Sequence, residues 1–249
     1  MSSHRLIWHA VYFILCVAWL IPVSALAEES KYYSTWEMQE PSEYRLVWYY
    51  ETRDSFVRNQ PDKVLVGDKE FIMRSDVRPP TANGVYMLQY LHVNKGEEVL
   101  DLGTGSGVHA VFAAENAKRI VATDIYPPAV ENAKTNAKLH GVEDKIDFRV
   151  GDLFEPIKDE EKFDVIFINI NFPFSIDDDR RNELHERFFS EVHKYMKPGA
   201  RIYYQTSFVK NIPYIYDLLT RNNLRIMEMH MVHMVNLNHE PLFLMVKSR

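Results

Sequence analysis

Glu98-Val-Leu-Asp-Leu-Gly-Thr-Gly-Ser-Gly-Val-His-Ala110 reads as a buried strand running into a glycine-rich turn and then into a helix. Val99, Leu100 and Leu102 supply the apolar strand. Gly103, Gly105 and Gly107 supply the turn, at alternate positions that let the backbone pass close to a ligand and tolerate φ > 0. The helix beyond aims its free N–H groups at whatever polar group sits on the turn. A glycine run alone is weak evidence. Here Asp101 stands two residues before the first glycine, and a second acid, Asp124, ends the next apolar run. That combination is far more specific.

Outward from this stretch, strand and helix patterns alternate. Strand 98–102 leads to a helix near 107–117, strand 119–124, a helix from Pro127 to Leu139 ended by Gly141, and strands 145–150 and 163–168. A helix over about 179–195 follows, and Lys197-Pro198-Gly199 turns into strand 201–206. A helix near 210–221 and strands 224–232 and 241–247 complete the chain. The alternation predicts an α/β fold, a doubly wound, mostly parallel sheet of seven strands with helices on both faces. The last two strands have no helix between them, so they form an antiparallel pair at the sheet edge. Upstream, Thr81 to Leu91 is a helix capped by Thr81, and Lys63 to Met73 is a short hairpin about Gly67-Asp68. Residues 30–60 are rich in Tyr and Trp and read as one or two short helices, as hydrophobic cover more than as a lid. The divisions are a leader over 1–27, an N-terminal extension over 28–95 and the α/β domain over 96–249.

In the leader, Arg5 precedes the apolar run 6–21, and Ala25-Leu26-Ala27 precedes Glu28-Glu29. That is the order of a secretory signal peptide. The run is short of the ~20 residues that span a bilayer, so an exported domain is favoured, with an uncleaved membrane anchor through 6–21 as the alternative. Removing Arg5 from the 29 basic residues leaves 28 against 35 acids, a net charge of −7. No basic tract marks a nucleic-acid surface. The only cysteine, Cys16, lies in the leader, so the domain has no disulfide and no thiolate ligand or nucleophile.

In an open parallel sheet, ligands sit beyond the carboxyl ends of the strands, where the strand order switches. Four candidates fall on such ends. The first is the turn from Asp101 through Gly103, Thr104 and Gly105 to Gly107. The second is Asp124 with Ile125, where the carboxylate lies 21 residues beyond Gly103 and can accept two hydrogen bonds from a ribose diol. The third is Asp152-Leu153, an acceptor for an exocyclic amine beside an apolar face for a flat base. The fourth is Asn169-Ile170-Asn171-Phe172-Pro173-Phe174. Each acid could instead cap a turn or a helix, but together they describe a nucleoside site. A dinucleotide site wants Gly-x-Gly-x-x-Gly, and an acid beside the turn repels pyrophosphate while it attracts an ammonium group. The ligand is therefore a nucleoside with an amino-acid tail.

Val99 to Gly107 resembles the first motif of the S-adenosylmethionine-dependent methyltransferases with the seven-stranded Rossmann-like fold, over roughly residues 76–249. Within that family the chain resembles the branch with an Asn-Pro-Pro-Tyr/Phe motif, which includes the release-factor glutamine methyltransferases. The resemblance implies S-adenosylmethionine as cofactor: the glycine turn and Asp101 hold the amino-acid tail, Asp124 the ribose, and Asp152 with Leu153 the adenine. It also implies that the motif Asn orients a target NH₂ group. The motif here reads Asn171-Phe172-Pro173-Phe174, without its first proline, and register from Phe163 favours Asn169 over Asn171 as the motif Asn. The expected activity is methyl transfer to an amide or amino nitrogen of a protein or nucleobase. A protein or small-molecule acceptor is favoured over nucleic acid. The rival is an exported binding module that keeps the fold without catalysis. Among other residues, His230 and His233 would point to opposite faces of a strand, and Met227, Met229 and Met231 read as core filling.

Overall fold

The computed structural model describes residues 32–36, 46–170, 179–206, 212–231 and 242–248. Residues 1–27, the segment expected to be a leader, lie outside them. Among the described residues no helix is long and apolar enough to cross a membrane.

The domain read from Glu98 onward has the expected architecture. Strands β5 (Glu98–Leu102), β6 (Arg119–Asp124), β7 (Ile146–Val150), β8 (Phe163–Ile168), β9 (Met196–Thr206), β10 (Leu224–Met231) and β11 (Leu242–Ser248) form one sheet in the order β10-β11-β9-β8-β5-β6-β7. β5, β6, β7, β8 and β9 pair in parallel, and β11 runs antiparallel to both β9 and β10. Val99, Leu100 and Val165 to Ile168 are fully buried. A central parallel strand is covered on both faces, which is why these runs are almost wholly apolar. One face of the sheet packs on helices α3 (Val108–Ala113) and α4 (Pro127–Leu139). The other packs on α5 (Asp179–Glu191) and α6 (Ile212–Arg221).

Residues 30–60 differ from expectation. They contain strands β1 (Tyr32–Trp36) and β2 (Leu46–Tyr50) and one short helix, α1 (Arg53–Val57). With the hairpin β3 (Lys63–Val66) and β4 (Lys69–Ile72), the strands form a second, antiparallel sheet in the order β1-β2-β3-β4. Leu46-Val-Trp-Tyr-Tyr50 is aromatic and branched, a composition that fits a pleated surface once β3 lies alongside. The covering role holds, since Trp48 and Tyr50 are buried. Helix α2 (Ala82–Met87) is shorter than its pattern, and Thr81 Oγ1 caps it by accepting from Gly84 N–H at 3.3 Å.

The core filling expected of Met227, Met229 and Met231 does not occur. They are 44%, 46% and 56% exposed. β10 is the outermost strand, and an irregularity between Ile226 and Glu228 takes Met227 out of the alternation.

The small sheet is fastened to the domain by α4. Asn136 Oδ1 accepts from Ile72 N–H at 2.8 Å, while its Nδ2 donates to Ile72 O at 3.1 Å and to Ser106 O at 2.9 Å. Asn132 accepts from Arg74 N–H at 3.0 Å and donates to Ile72 O at 2.7 Å. Leu46, Trp48, Val64 and Phe71 share one apolar cluster with Val108, Val111 and Ala137. Asn136 is fully buried, so its removal takes the partner from two backbone groups, Ile72 N–H and Ser106 O, while Ile72 O keeps its bond from Asn132. Asn136→Ala is expected to lower unfolding free energy by about 2–3 kcal/mol in urea titration.

His185 on α5 is buried beneath the sheet, with the Tyr204 hydroxyl 3.3 Å from its Nδ1. Burial holds its pKa down to about 4, against an ordinary 6.5. The folded value is depressed, so the unfolded chain takes up the proton first as pH falls. Stability is then unaffected above 6.5 and declines between 6.5 and about 4. The loss is up to ~3 kcal/mol. His185→Phe is expected to flatten that part of the stability-versus-pH curve, measured by urea unfolding at pH 7 and pH 5.

Candidate cofactor crevice at the strand ends

Chain order runs outward from β5 through β6 to β7 on one side and from β8 to β9 on the other. The reversal lies between β5 and β8, and a crevice is expected at their carboxyl ends. Asp101, in β5, is buried, and its Oδ2 accepts from Thr104 Oγ1 at 2.7 Å. Burial pushes its carboxyl above the usual range, and the charge of Asp124 adds to the push. His109, the Thr104 hydroxyl and the Ala110 N–H oppose it.

The turn above Asp101 is tied to β6. Gly103 and Thr104 N–H groups both donate to Thr123 O, at 2.9 Å each. Gly103 and Gly105 adopt φ of +75° and +56°, in the left-handed region that favours glycine. A Cβ on Gly103 would collide with Ile170 Cγ2, whereas one on Gly105 would meet nothing within 4 Å among the described residues. The first glycine therefore serves packing. The second leaves a cradle open beside the turn.

Asp124 borders that opening. Its Oδ2 accepts from Gly105 N–H and its Oδ1 from Tyr126 N–H, both at 3.0 Å. The capping role and the binding role are thus compatible, because each carboxylate oxygen keeps a further lone pair and the two bonds fix its direction. Ile125, next in sequence, is 67% exposed.

Asp152 lies on the same rim, since the N–H of Gly151 donates to Asp124 O at 3.1 Å. Its Oδ2 is held by Arg187 Nη1 at 2.7 Å. Leu153 is disposed differently from the open face expected of it. It adopts φ of +45°, which turns its side chain into the apolar cluster with Phe154 and Ile157. Ile125 is left open beside the acids, as are Tyr126 and Val150.

Asn169 directly follows β8 and packs on α2. A Cβ on Gly84 would stand 2.7 Å from Asn169 Nδ2. The carbonyl of Gly84 accepts from His109 Nε2 at 2.8 Å, so the ring carries its proton on Nε2. Asn171, Pro173 and Phe174 lie outside the described residues. Among the described residues no group of His, Cys, Asp or Glu could hold a metal ion.

Residues 93–238 match the family model of the methyltransferase domain. The chain belongs to that family. The methyltransferase domain is 36% identical over 144 residues to a protein of Methanocaldococcus jannaschii named a protein N5-glutamine methyltransferase, an alignment covering 51% of this chain and 71% of the relative. It is 30% identical over 141 residues to a release factor glutamine methyltransferase of Clostridium acetobutylicum, covering 48% of this chain and 50% of that relative. Its fold superposes on Trm5b from Pyrococcus abyssi with a TM-score of 0.61 at 16% identity, over 87% of this chain and 64% of that one. The family read from Val99 to Gly107 is borne out.

Gly84, His109 and Arg187 were not singled out in the sequence. An isolated glycine within a helical pattern signals a close approach, and a histidine on an otherwise apolar helix signals a buried bond. Arg187 had no local signal, because its partner lies 35 residues away. Gly84→Ala should change stability by no more than about 1 kcal/mol, since alanine favours a helix and the obstructing atom is a side-chain tip. It should displace the Asn169 amide. The expected result is a near-native melting temperature with a shifted Asn169 side-chain resonance in an amide spectrum, assigned with Asn169→Ala.

Proposed function

We propose that the protein transfers a methyl group from S-adenosylmethionine to an amide or amino nitrogen, with a protein as the favoured acceptor. The observation that carries the cofactor assignment is the Asp124 carboxylate, aimed by two backbone N–H groups beside the open cradle at Gly105. A fixed carboxylate with free lone pairs suits a vicinal diol, and an open glycine turn suits a group that must approach the backbone closely. Asp124 would hold the ribose, Ile125 and Asp152 the adenine, and Asp101 with the turn of Gly103, Thr104, Gly105 and Gly107 the amino-acid tail.

When bound, S-adenosylmethionine supplies a methyl group already activated by its sulfonium. The chain's own residues then need only orient and exclude water. Asn169 directly follows β8 and is held against Gly84, so its side-chain oxygen can accept from the acceptor's NH₂ and fix that nitrogen's direction. Asn171, Pro173 and Phe174 would complete the acceptor side. The protein acceptor is supported by the names of the relatives from M. jannaschii and C. acetobutylicum. The acidic balance of residues 28–249 points the same way, away from nucleic acid.

Calorimetry with S-adenosylhomocysteine is the direct check. The wild-type protein should bind it, and Asp124→Ala should weaken binding about 10–100-fold, the effect of losing charge-assisted hydrogen bonds. Unchanged affinity in the variant would remove Asp124 from the site, and no binding to the wild type would end the cofactor assignment.

A further inference from the structure

Arg187 stands on α5, which lies beyond segment 171–178 in the chain, and bonds Asp152, which follows β7 on the rim. Its Nη1 donates to Oδ2 at 2.7 Å, and among the described residues nothing bonds Oδ1. The two side chains are 39% and 28% exposed. An ion pair this open to water contributes little to stability, so the contact calls for another role. The surroundings suggest one. Arg187 also faces Glu155 and Glu191, and Glu155 Oε2 lies 3.4 Å from the Asp152 N–H. Without the guanidinium, three carboxylates would share this corner, and mutual repulsion would drive Asp152 outward into solvent. The backbone beneath is already constrained, with Gly151 bonded to Asp124 O and Leu153 left-handed, so the Asp152 side-chain torsion is the remaining freedom.

We propose that Arg187 is a positioning residue for base recognition: by holding Asp152 Oδ2 it presents Oδ1 to the exocyclic amine of the bound adenine. The inference rests on the S-adenosylmethionine reading above. A carboxylate only accepts hydrogen bonds, so Asp152 so fixed favours a 6-amino base and opposes a 6-keto base. Arg187 thereby makes the crevice selective for adenine, and it ties the helix beyond the acceptor segment to the cofactor end of the site.

The test measures affinities for S-adenosylhomocysteine and for S-inosylhomocysteine, its 6-keto analogue, by calorimetry on the full chain. The wild type should prefer the adenosyl compound by about tenfold or more, since the keto oxygen would face a carboxylate. Arg187→Ala should reduce that preference to about twofold, mainly through weaker adenosyl binding, with an unchanged melting temperature. Arg187→Lys should recover part of the preference. Asp152→Asn should bring the two ligands level, because an amide can offer either a donor or an acceptor. If Arg187→Ala keeps the wild-type preference while Asp152→Asn loses it, Asp152 reads the base unaided and the role of Arg187 is refuted. A wild type that binds both ligands equally refutes base reading by Asp152. A wild type that binds neither refutes the cofactor assignment itself.

Discussion

The carboxylate of Asp101 lies inside the sheet, where an unsatisfied charge costs several kcal/mol. Its demand for hydrogen-bond donors dictates the path of the next ten or so residues. The Thr104 hydroxyl reaches back to it at 2.7 Å and the start of α3 faces it, so the backbone reverses within a few residues of β5. Glycines at positive φ make that reversal possible. The N–H groups displaced by the reversal then go to Thr123 O and Asp124, which fastens β5 to β6 at their upper ends. The carboxylate expected to take a ribose is therefore aimed by the same turn that buries the first acid. The same set of bonds that steadies the turn also fixes the direction of the Asp124 carboxylate.

That turn is supported from below by an element far away in sequence. Asn136 bonds both the end of β4 and the Ser106 carbonyl. The small antiparallel sheet is accordingly part of the scaffold of the site, and its apolar side chains merge with those under α3 and α4. Helix α2 closes the arrangement. The carbonyl of Gly84 meets His109 from the glycine-turn helix, and its missing side chain makes room for Asn169 from β8. The residue proposed to orient the acceptor and the helix proposed to frame the cofactor tail thus share one neighbour.

Much of this was legible in the chain. Parallel strands covered on both faces are continuous apolar runs, so β5, β6 and β8 could be bounded within a residue or so, the edge strand β7 was bounded by its alternation, and Asp101, Asp124, Asp152 and Asn169 could be placed at or just beyond their ends. The helix from Pro127 to Leu139 matched its pattern at both ends because a proline pair and Gly141 punctuate it. The extension was harder to read. Short aromatic segments fit a helix or a strand equally well in isolation, and β1 and β2 are settled by pairing with each other and with β3. The three methionines of β10 were misplaced because alternation implies a buried face only when something covers it, and β10 is the outermost strand.

The topology of the domain, its family and the row of acids along the rim are each written in residues adjacent in the chain, so the amino-acid order was enough to determine them. Contacts between distant segments belonged to the tertiary structure: Arg187 on Asp152, His109 and Asn169 on Gly84, Asn136 between two sheets, and Leu153 turned inward. Hydrophobic period and turn chemistry act over a few residues. Which polar side chains must satisfy one another is decided only when packing removes water from around them.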